Sequence, residues 1–180
     1  MLLLHTNNKV PVANNSNINK IDKSKIDKSY QSLNMEIHSS AFINNLMIPS
    51  RFTCDGEDIS PPIVFSNLPN NTKSLILIVD DPDAPNGTFT HWLLWNILPT
   101  TTEIDVGKIP AEAVEGTTSF GKPGYGGPCP PSGTHHYHFK LYSLDTLLNL
   151  KHGASRDELE NAMKDHILST AELVGIYTKK

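Results

Sequence analysis

Two stretches of the chain concentrate residues able to grip a small ligand. The first is Asp80-Asp81-Pro82-Asp83-Ala84-Pro85-Asn86-Gly87. Its prolines fix φ and restrict the residues before them, so the loop can hold a carboxylate still. The plainer alternative is a turn whose aspartates bond local amides, as aspartates commonly do. The second stretch, Gly121 to Thr134, holds five glycines and four prolines. Glycines let backbone approach a ligand and can present amides as an anion nest, while prolines keep the loop from collapsing. The Gly-Lys-Ser/Thr ending of a nucleotide-binding loop is missing. A rigid connector is the plainer reading, but a stiff loop of this length in a compact domain is more often functional.

Histidines follow each loop. Alternation along the strand expected from His135 puts His135, Tyr137, Phe139 and Leu141 on one face and His136, His138, Lys140 and Tyr142 on the other. The first face is apolar and must point inward, carrying His135 with it. His91, Leu93 and Trp95 alternate with Trp92, Leu94 and Asn96, and both faces are largely apolar, so His91 is expected to be buried or half-buried. A lone inward histidine is usually a satisfied core residue. Two of them beside an aspartate loop and a glycine loop point to a shared pocket. His91, His135 and Asp81 could supply three zinc ligands, but no short metal-binding spacing supports this, and no metal is expected. No Ser-His-Asp or Cys-His spacing marks a hydrolase. Cys129 near His135 is a conceivable pair, set against Cys129 as a small buried residue in a tight loop.

The elements that must position these residues are mainly strands. A chain of 180 residues suits one domain, and 13 prolines with 11 glycines break it into short pieces, as in an all-β sandwich or barrel. Strands are expected at Phe42 to Ile48, Ile63 to Phe65, Leu75 to Val79, Thr90 to Ile97, His135 to Leu144 and Thr170 to Tyr177. The unbroken apolar run Leu75 to Val79 implies cover on both faces. Ser155-Arg156-Asp157-Glu158 reads as a capping box opening a helix, with Leu159, Ala162, Met163, His166 and Ile167 on one face.

Residues 1 to 34 differ in composition, with seven asparagines, five lysines and two aspartates, and read as a disordered or non-native tail before a domain at 35 to 180. Met35 is a candidate true start. Met1 to Leu4 is too short and uncharged for a secretory signal. The formal net charge is −4, and five of the 15 basic residues but only two of the 19 acidic ones lie in the tail, leaving the domain at −7. Nucleic acid and strongly anionic membranes are therefore poor bulk partners, and an anion must be held by local geometry. No apolar run approaches the roughly 20 residues of a membrane span. Without an export signal, Cys54 and Cys129 are expected to be two free buried thiols in a cytoplasmic protein, with a single pairing as the alternative.

Asp80-Asp81-Pro82-Asp83-Ala84-Pro85 with Thr90 to Ile97, and Gly124-Tyr125-Gly126-Gly127-Pro128-Cys129-Pro130-Pro131 with Ser132 to Phe139, resemble the two signatures of the phosphatidylethanolamine-binding protein family. Phe52 to Gly56 and Ser60-Pro61-Pro62 resemble its bacterial and archaeal branch. The resemblance covers about residues 35 to 180. It implies a mostly β fold, an antiparallel sandwich with a few peripheral helices. It implies a cavity for phosphate, phosphorylethanolamine, acetate or similar anions, and no cofactor. Carried over by position, Asp81, Pro85, His91, His135 and Tyr137 would line the cavity, with the backbone of Gly127, Pro128, Cys129 and Pro130 closing one wall. His136 stands where family members usually carry Arg. The family's C-terminal helix near the pocket is not evident, which implies a more open site. The implied function is a binding or regulatory module for a phosphoryl-type anion, with a protein partner or a homodimer left open; the alternative is a small hydrolase using the His/Asp groups or Cys129.

Overall fold

The computed structural model describes residues 34–179. The tail, up to residue 33, therefore lies outside the described residues, while Met35 lies within them and is buried. Among the described residues the strands are β1 (Glu36–His38), β2 (Leu46–Met47), β3 (Ile63–Ser66), β4 (Ser74–Asp81), β5 (Phe89–Ile97), β6 (Glu103–Ile104), β7 (Val114–Glu115), β8 (Thr134–Leu144) and β9 (Ile167–Thr178), with one helix, α1 (Arg156–Met163), before β9. A short 3-10 turn spans Ser50–Phe52.

The strands form a three-stranded sheet, β1-β3-β6, and a six-stranded sheet, β2-β9-β8-β4-β5-β7. The expectation of antiparallel sheets holds except at the rim, where β2 pairs β9 in parallel. Asn45, with φ of 62°, breaks the chain just before β2, so the strand expected from Phe42 shrinks to two residues.

Alternation along β4 explains its complete burial. Leu75, Leu77 and Val79 face the small sheet and join Ile37, Ile63 and Phe65 in the sandwich core. Ile76 and Ile78 face the other way, into a second core closed by Leu159 and Met163 of α1 and by Leu148. Burying each such side chain contributes about 1.5–3 kcal/mol. The central strands β8, β4 and β5 thus sit clamped between the small sheet and α1, which makes them the rigid floor on which a site can be built.

Helix α1 opens with the expected capping box: Ser155 Oγ accepts the Glu158 amide, and Glu158 accepts the Ser155 amide at 2.8 Å. It ends sooner than the helical pattern suggests. Ile167 pairs with Leu144 at the start of β9 and is 40% exposed, so the β8–β9 ladder wins over local periodicity. Ser155→Ala should cost about 1 kcal/mol in denaturant unfolding without altering the distant β8 end of the sheet. An unchanged unfolding free energy would contradict the cap's role.

The two cysteines are not free. Cys54 and Cys129 form a disulfide, with Cα atoms 5.4 Å apart across 75 residues of sequence. This corrects the expected pair of buried thiols. Neither cysteine is buried, and the fold alone brings the segment after the 3-10 turn against the Gly/Pro loop.

Candidate functional site

Asp80 and Asp81 end β4, and alternation sends them to opposite faces. Asp80 is fully buried behind the sheet, where its Oδ2 accepts from Lys140 Nζ at 2.9 Å and Arg156 Nη2 at 2.8 Å. Asp81 points to the sandwich face. Its Oδ1 accepts the Asp83 amide at 2.9 Å, closing the loop, and its Oδ2 accepts from His135 Nδ1 at 2.7 Å. Both partners of the second bond are buried, with side chains 5% and 8% exposed. Both carboxylate oxygens of Asp81 are therefore engaged by the protein itself.

His91 reaches the same region through a β-bulge. Val79 pairs with Trp92, but Asp80 pairs with Thr90 and Asp81 with Phe89, so His91 is an extra residue on β5. Simple alternation would send His91 with Leu93 and Trp95 into the α1-side core. The bulge instead sets its ring against Tyr137, centroids 5.2 Å apart, and against Phe89 at 5.1 Å. Re-aiming a side chain in this way is a common use of bulges beside functional sites.

The hydrogen bonds fix the protonation chemistry. His91 Nδ1 lies 2.7 Å from the Gly126 carbonyl, which can only accept, so Nδ1 carries the proton. His135 Nδ1 likewise donates to Asp81. When either ring is neutral, Nε2 is then its basic nitrogen. Desolvation, only partly offset by the Gly126 carbonyl and the charges of Asp81 and Asp80, lowers the His91 pKa below its ordinary 6.5. The Tyr137 hydroxyl is buried, and although the Cys129 backbone amide points toward its oxygen, no acceptor among the described residues takes its proton. Its burial, then the charge of Asp81, pushes its pKa upward, so it remains a hydrogen-bond donor.

A cavity of about 500 Å³ opens here, lined among others by Asp81, Pro85, His91, Cys129, Tyr137, Phe89, Phe120 and Pro131. Five of the residues expected at the site thus share one wall. His135 stands behind Asp81 rather than on the wall. Gly127, Pro128 and Pro130 also stand behind it, and all three are buried. The Gly127 amide donates to Asp58 Oδ1 at 2.7 Å, and the Pro128 carbonyl accepts from the Cys54 amide at 3.1 Å. The Gly126 amide donates to the His91 carbonyl at 3.0 Å. These amides are spent on structure, so the nest expected from the glycines does not form around them. The glycines serve close packing instead: a Cβ on Gly127 would lie 2.6 Å from the Phe52 carbonyl oxygen and 2.8 Å from Thr53 Cα. Gly127→Ala should therefore cost about 1–3 kcal/mol in thermal or denaturant unfolding, because backbone must move; a neutral result would mean the segment after the 3-10 turn yields freely. Among the described residues, no three His, Cys, Asp or Glu side chains are grouped to hold a metal ion.

A model of the phosphatidylethanolamine-binding protein family matches residues 38–178. The chain belongs to that family.

Its relatives in the family include the UPF0098 protein of Pyrococcus horikoshii, 55% identical over 151 residues, 79% of this chain and 76% of that protein. The UPF0098 protein of Chlamydia trachomatis is 41% identical over 150 residues, 81% of this chain and 99% of its own length. Among solved structures, a phosphatidylethanolamine-binding protein homologue from Chlamydia trachomatis superposes with a TM-score of 0.79 at 40% identity, covering 82% of this chain and 99% of that one. E. coli YbcL, described as a member of the mammalian phosphatidylethanolamine-binding protein family, gives 0.77 at 31% identity, covering 81% and 99%.

His136 points away from the cavity. Its Nδ1 and backbone amide both donate to Asp83 Oδ2, at 2.7 and 2.9 Å, and these bonds lower the Asp83 pKa. The residue thus pins the aspartate loop to β8 from outside. Phe89, Phe120 and Asp58 escaped the sequence reading. Phe89 and Phe120 stand edge to face at 4.9 Å and flank His91. The one sequence signal for Phe89 was its place two residues before a buried histidine; nothing local marked Phe120 or Asp58. No helix among the described residues is long and apolar enough to cross a membrane.

Proposed function

We propose that the cavity holds a small phosphoryl-type anion, free or as the head group of a larger molecule. One observation carries the reading: the Tyr137 hydroxyl is a buried donor on the cavity wall with no acceptor among the described residues. Leaving such a group unsatisfied costs about 1–3 kcal/mol, which a ligand oxygen would recover. Both oxygens of Asp81 accept hydrogen bonds, but its negative charge remains, so an anion needs a counter-charge in the cavity. The basic Nε2 of His91 supplies the charge by taking up a proton as the anion arrives. Phe89 and Phe120 give an apolar flank for whatever the phosphoryl group is attached to.

Titration with inorganic phosphate and O-phosphorylethanolamine by calorimetry tests this. Tyr137→Phe is expected to weaken both about tenfold, the worth of one hydrogen bond to a charged group. Equal affinity in the variant would remove Tyr137 from the ligand.

The pH dependence follows from the lowered His91 pKa. The neutral, buried ring favours the folded state above 6.5, and this contribution is lost as pH falls through the lowered value. A bound anion reverses the bias by stabilising imidazolium. Near pH 7, phosphate binding should therefore take up about one proton, read from calorimetry in buffers of different ionisation enthalpy. Zero uptake with a flat pH profile would exclude His91 as the charge partner.

A second reading, hydrolysis, would use His91 as general base, since its ring lies on the cavity wall with Nδ1 held by the Gly126 carbonyl; His135, oriented by Asp81, stands behind that wall. Its Cys129 form is closed while that sulfur is bridged to Cys54. A regulatory role toward a protein partner and a cytoplasmic setting belong to the same proposal.

A further inference from the structure

We infer that the Cys54–Cys129 bridge is a redox latch on the cavity: a dithiol opens it, and the opened protein binds the phosphoryl-type ligand more weakly. The affinity half of this inference rests on the anion reading above.

Accessibility comes first. Both cysteines are exposed, while their neighbours Phe52, Thr53, Pro128 and Pro130 are buried. A reductant can therefore reach the sulfurs without the surrounding backbone unfolding. Position comes second. Cys129 lies on the cavity wall with Asp81, His91 and Tyr137, so freeing this residue from its bridge is a change beside the site.

Charge comes third, and it polarises the exchange. Lys179 Nζ lies 3.9 Å from Cys129 Sγ. An ammonium there stabilises a thiolate and makes Cys129 the better leaving group. Cys54 is followed at once by Asp55, with Glu57 and Asp58 close behind, which disfavours a thiolate on that side. The reaction balances with a dithiol as the source of two electrons. One thiolate of the reductant attacks Cys54 Sγ, the S–S bond breaks, and Cys129 leaves with the electron pair as a thiolate. The second thiol then attacks the mixed disulfide, releasing Cys54 as a thiol and closing the reductant's own disulfide.

The product differs from the bridged state in two ways that act together. The wall around Cys129 loses its covalent tie, although the Cys54–Pro128 and Gly127–Asp58 hydrogen bonds still hold its root. A new negative charge also stands on the wall, where it opposes a bound anion.

The experiment uses the full chain and dithiothreitol. Two thiols should appear under native conditions with the far-ultraviolet circular dichroism unchanged, and iodoacetamide should alkylate Cys129 before Cys54. The reduced protein should show shifted NMR signals for the His91 imidazole with no ligand present. With inorganic phosphate as probe, its dissociation constant should rise about tenfold at pH 8, the order expected of one partly screened charge beside the anion. Cys54→Ser, which leaves a lone Cys129 thiolate, should match the reduced protein. The Cys54→Ser/Cys129→Ser double variant, which has neither bridge nor charge, should lie between. A bridge that reduces only on denaturation, or a reduced protein with unshifted His91 signals, overturns the latch. Equal phosphate affinity in the oxidised and reduced proteins overturns its effect on binding. Absence of phosphate binding by the oxidised protein overturns the anion reading instead, and the His91 signals then decide the latch alone.

Discussion

Asp81→Ala is expected to lower the unfolding free energy by about 3 kcal/mol and to abolish phosphate binding. The side chain is buried and accepts from His135 Nδ1 and from the Asp83 amide. Truncation leaves the imidazole N–H facing nothing, in a place water does not readily reach, since the histidine side chain is only 8% exposed. It also frees the aspartate loop that carries Pro85 on the cavity wall. Asp81→Asn separates the two effects. The amide oxygen can still accept from His135, so stability should fall by only about 1 kcal/mol. Denaturant unfolding of the two variants gives the comparison. If alanine and asparagine cost the same, the His135 bond is not what Asp81 provides. If alanine costs less than about 0.5 kcal/mol, the buried pair contributes nothing net.

Cutting the disulfide should cost a similar amount for a different reason. The bridge closes 75 residues of chain. In the chain-entropy account, a loop of that length removes about 4 kcal/mol worth of freedom from the unfolded state. Against a typical total of about 5–15 kcal/mol this is a large share, yet it leaves the reduced protein folded. Reduction and the Cys54→Ser/Cys129→Ser variant should shift the denaturant midpoint by equal amounts, because both act on the unfolded chain. A midpoint unchanged by either treatment would mean that the unfolded chain is already compact around this loop. The stability loss and the latch are separable: the first is read from unfolding, the second from His91 and from phosphate affinity in protein that is still folded.

The two predictions draw on different distances along the chain, and so did the sequence reading. Strands β4, β5 and β8 were legible because side-chain alternation and apolar runs are properties of a few consecutive residues. The inward face of β8 was correct down to His135, Tyr137, Phe139 and Leu141, all buried as the alternation required. The capping box at Ser155 was legible for the same reason, since its two bonds join residues three apart.

His91 shows where that reasoning stops. Alternation with Leu93 and Trp95 would carry it away from Tyr137, and only the bulge at Asp80–Thr90 brings it back. A bulge is a mismatch between two strands, so neither strand contains it alone. The glycines of the second loop misled in a similar way. Their composition suggested amides held out for an anion, yet Gly127 gives its amide to Asp58, 69 residues earlier in the chain.

The sequence by itself determined the class of the fold, its long central strands, and the two loops whose residues carry the chemistry. It did so because backbone preference and hydrophobic period act over a few neighbouring residues. Only the tertiary structure decided the register that turns His91 inward, the bridge between Cys54 and Cys129, and which of the adjacent Asp80 and Asp81 serves the cavity. Those depend on how distant segments pack, and packing energy is not written at any one position.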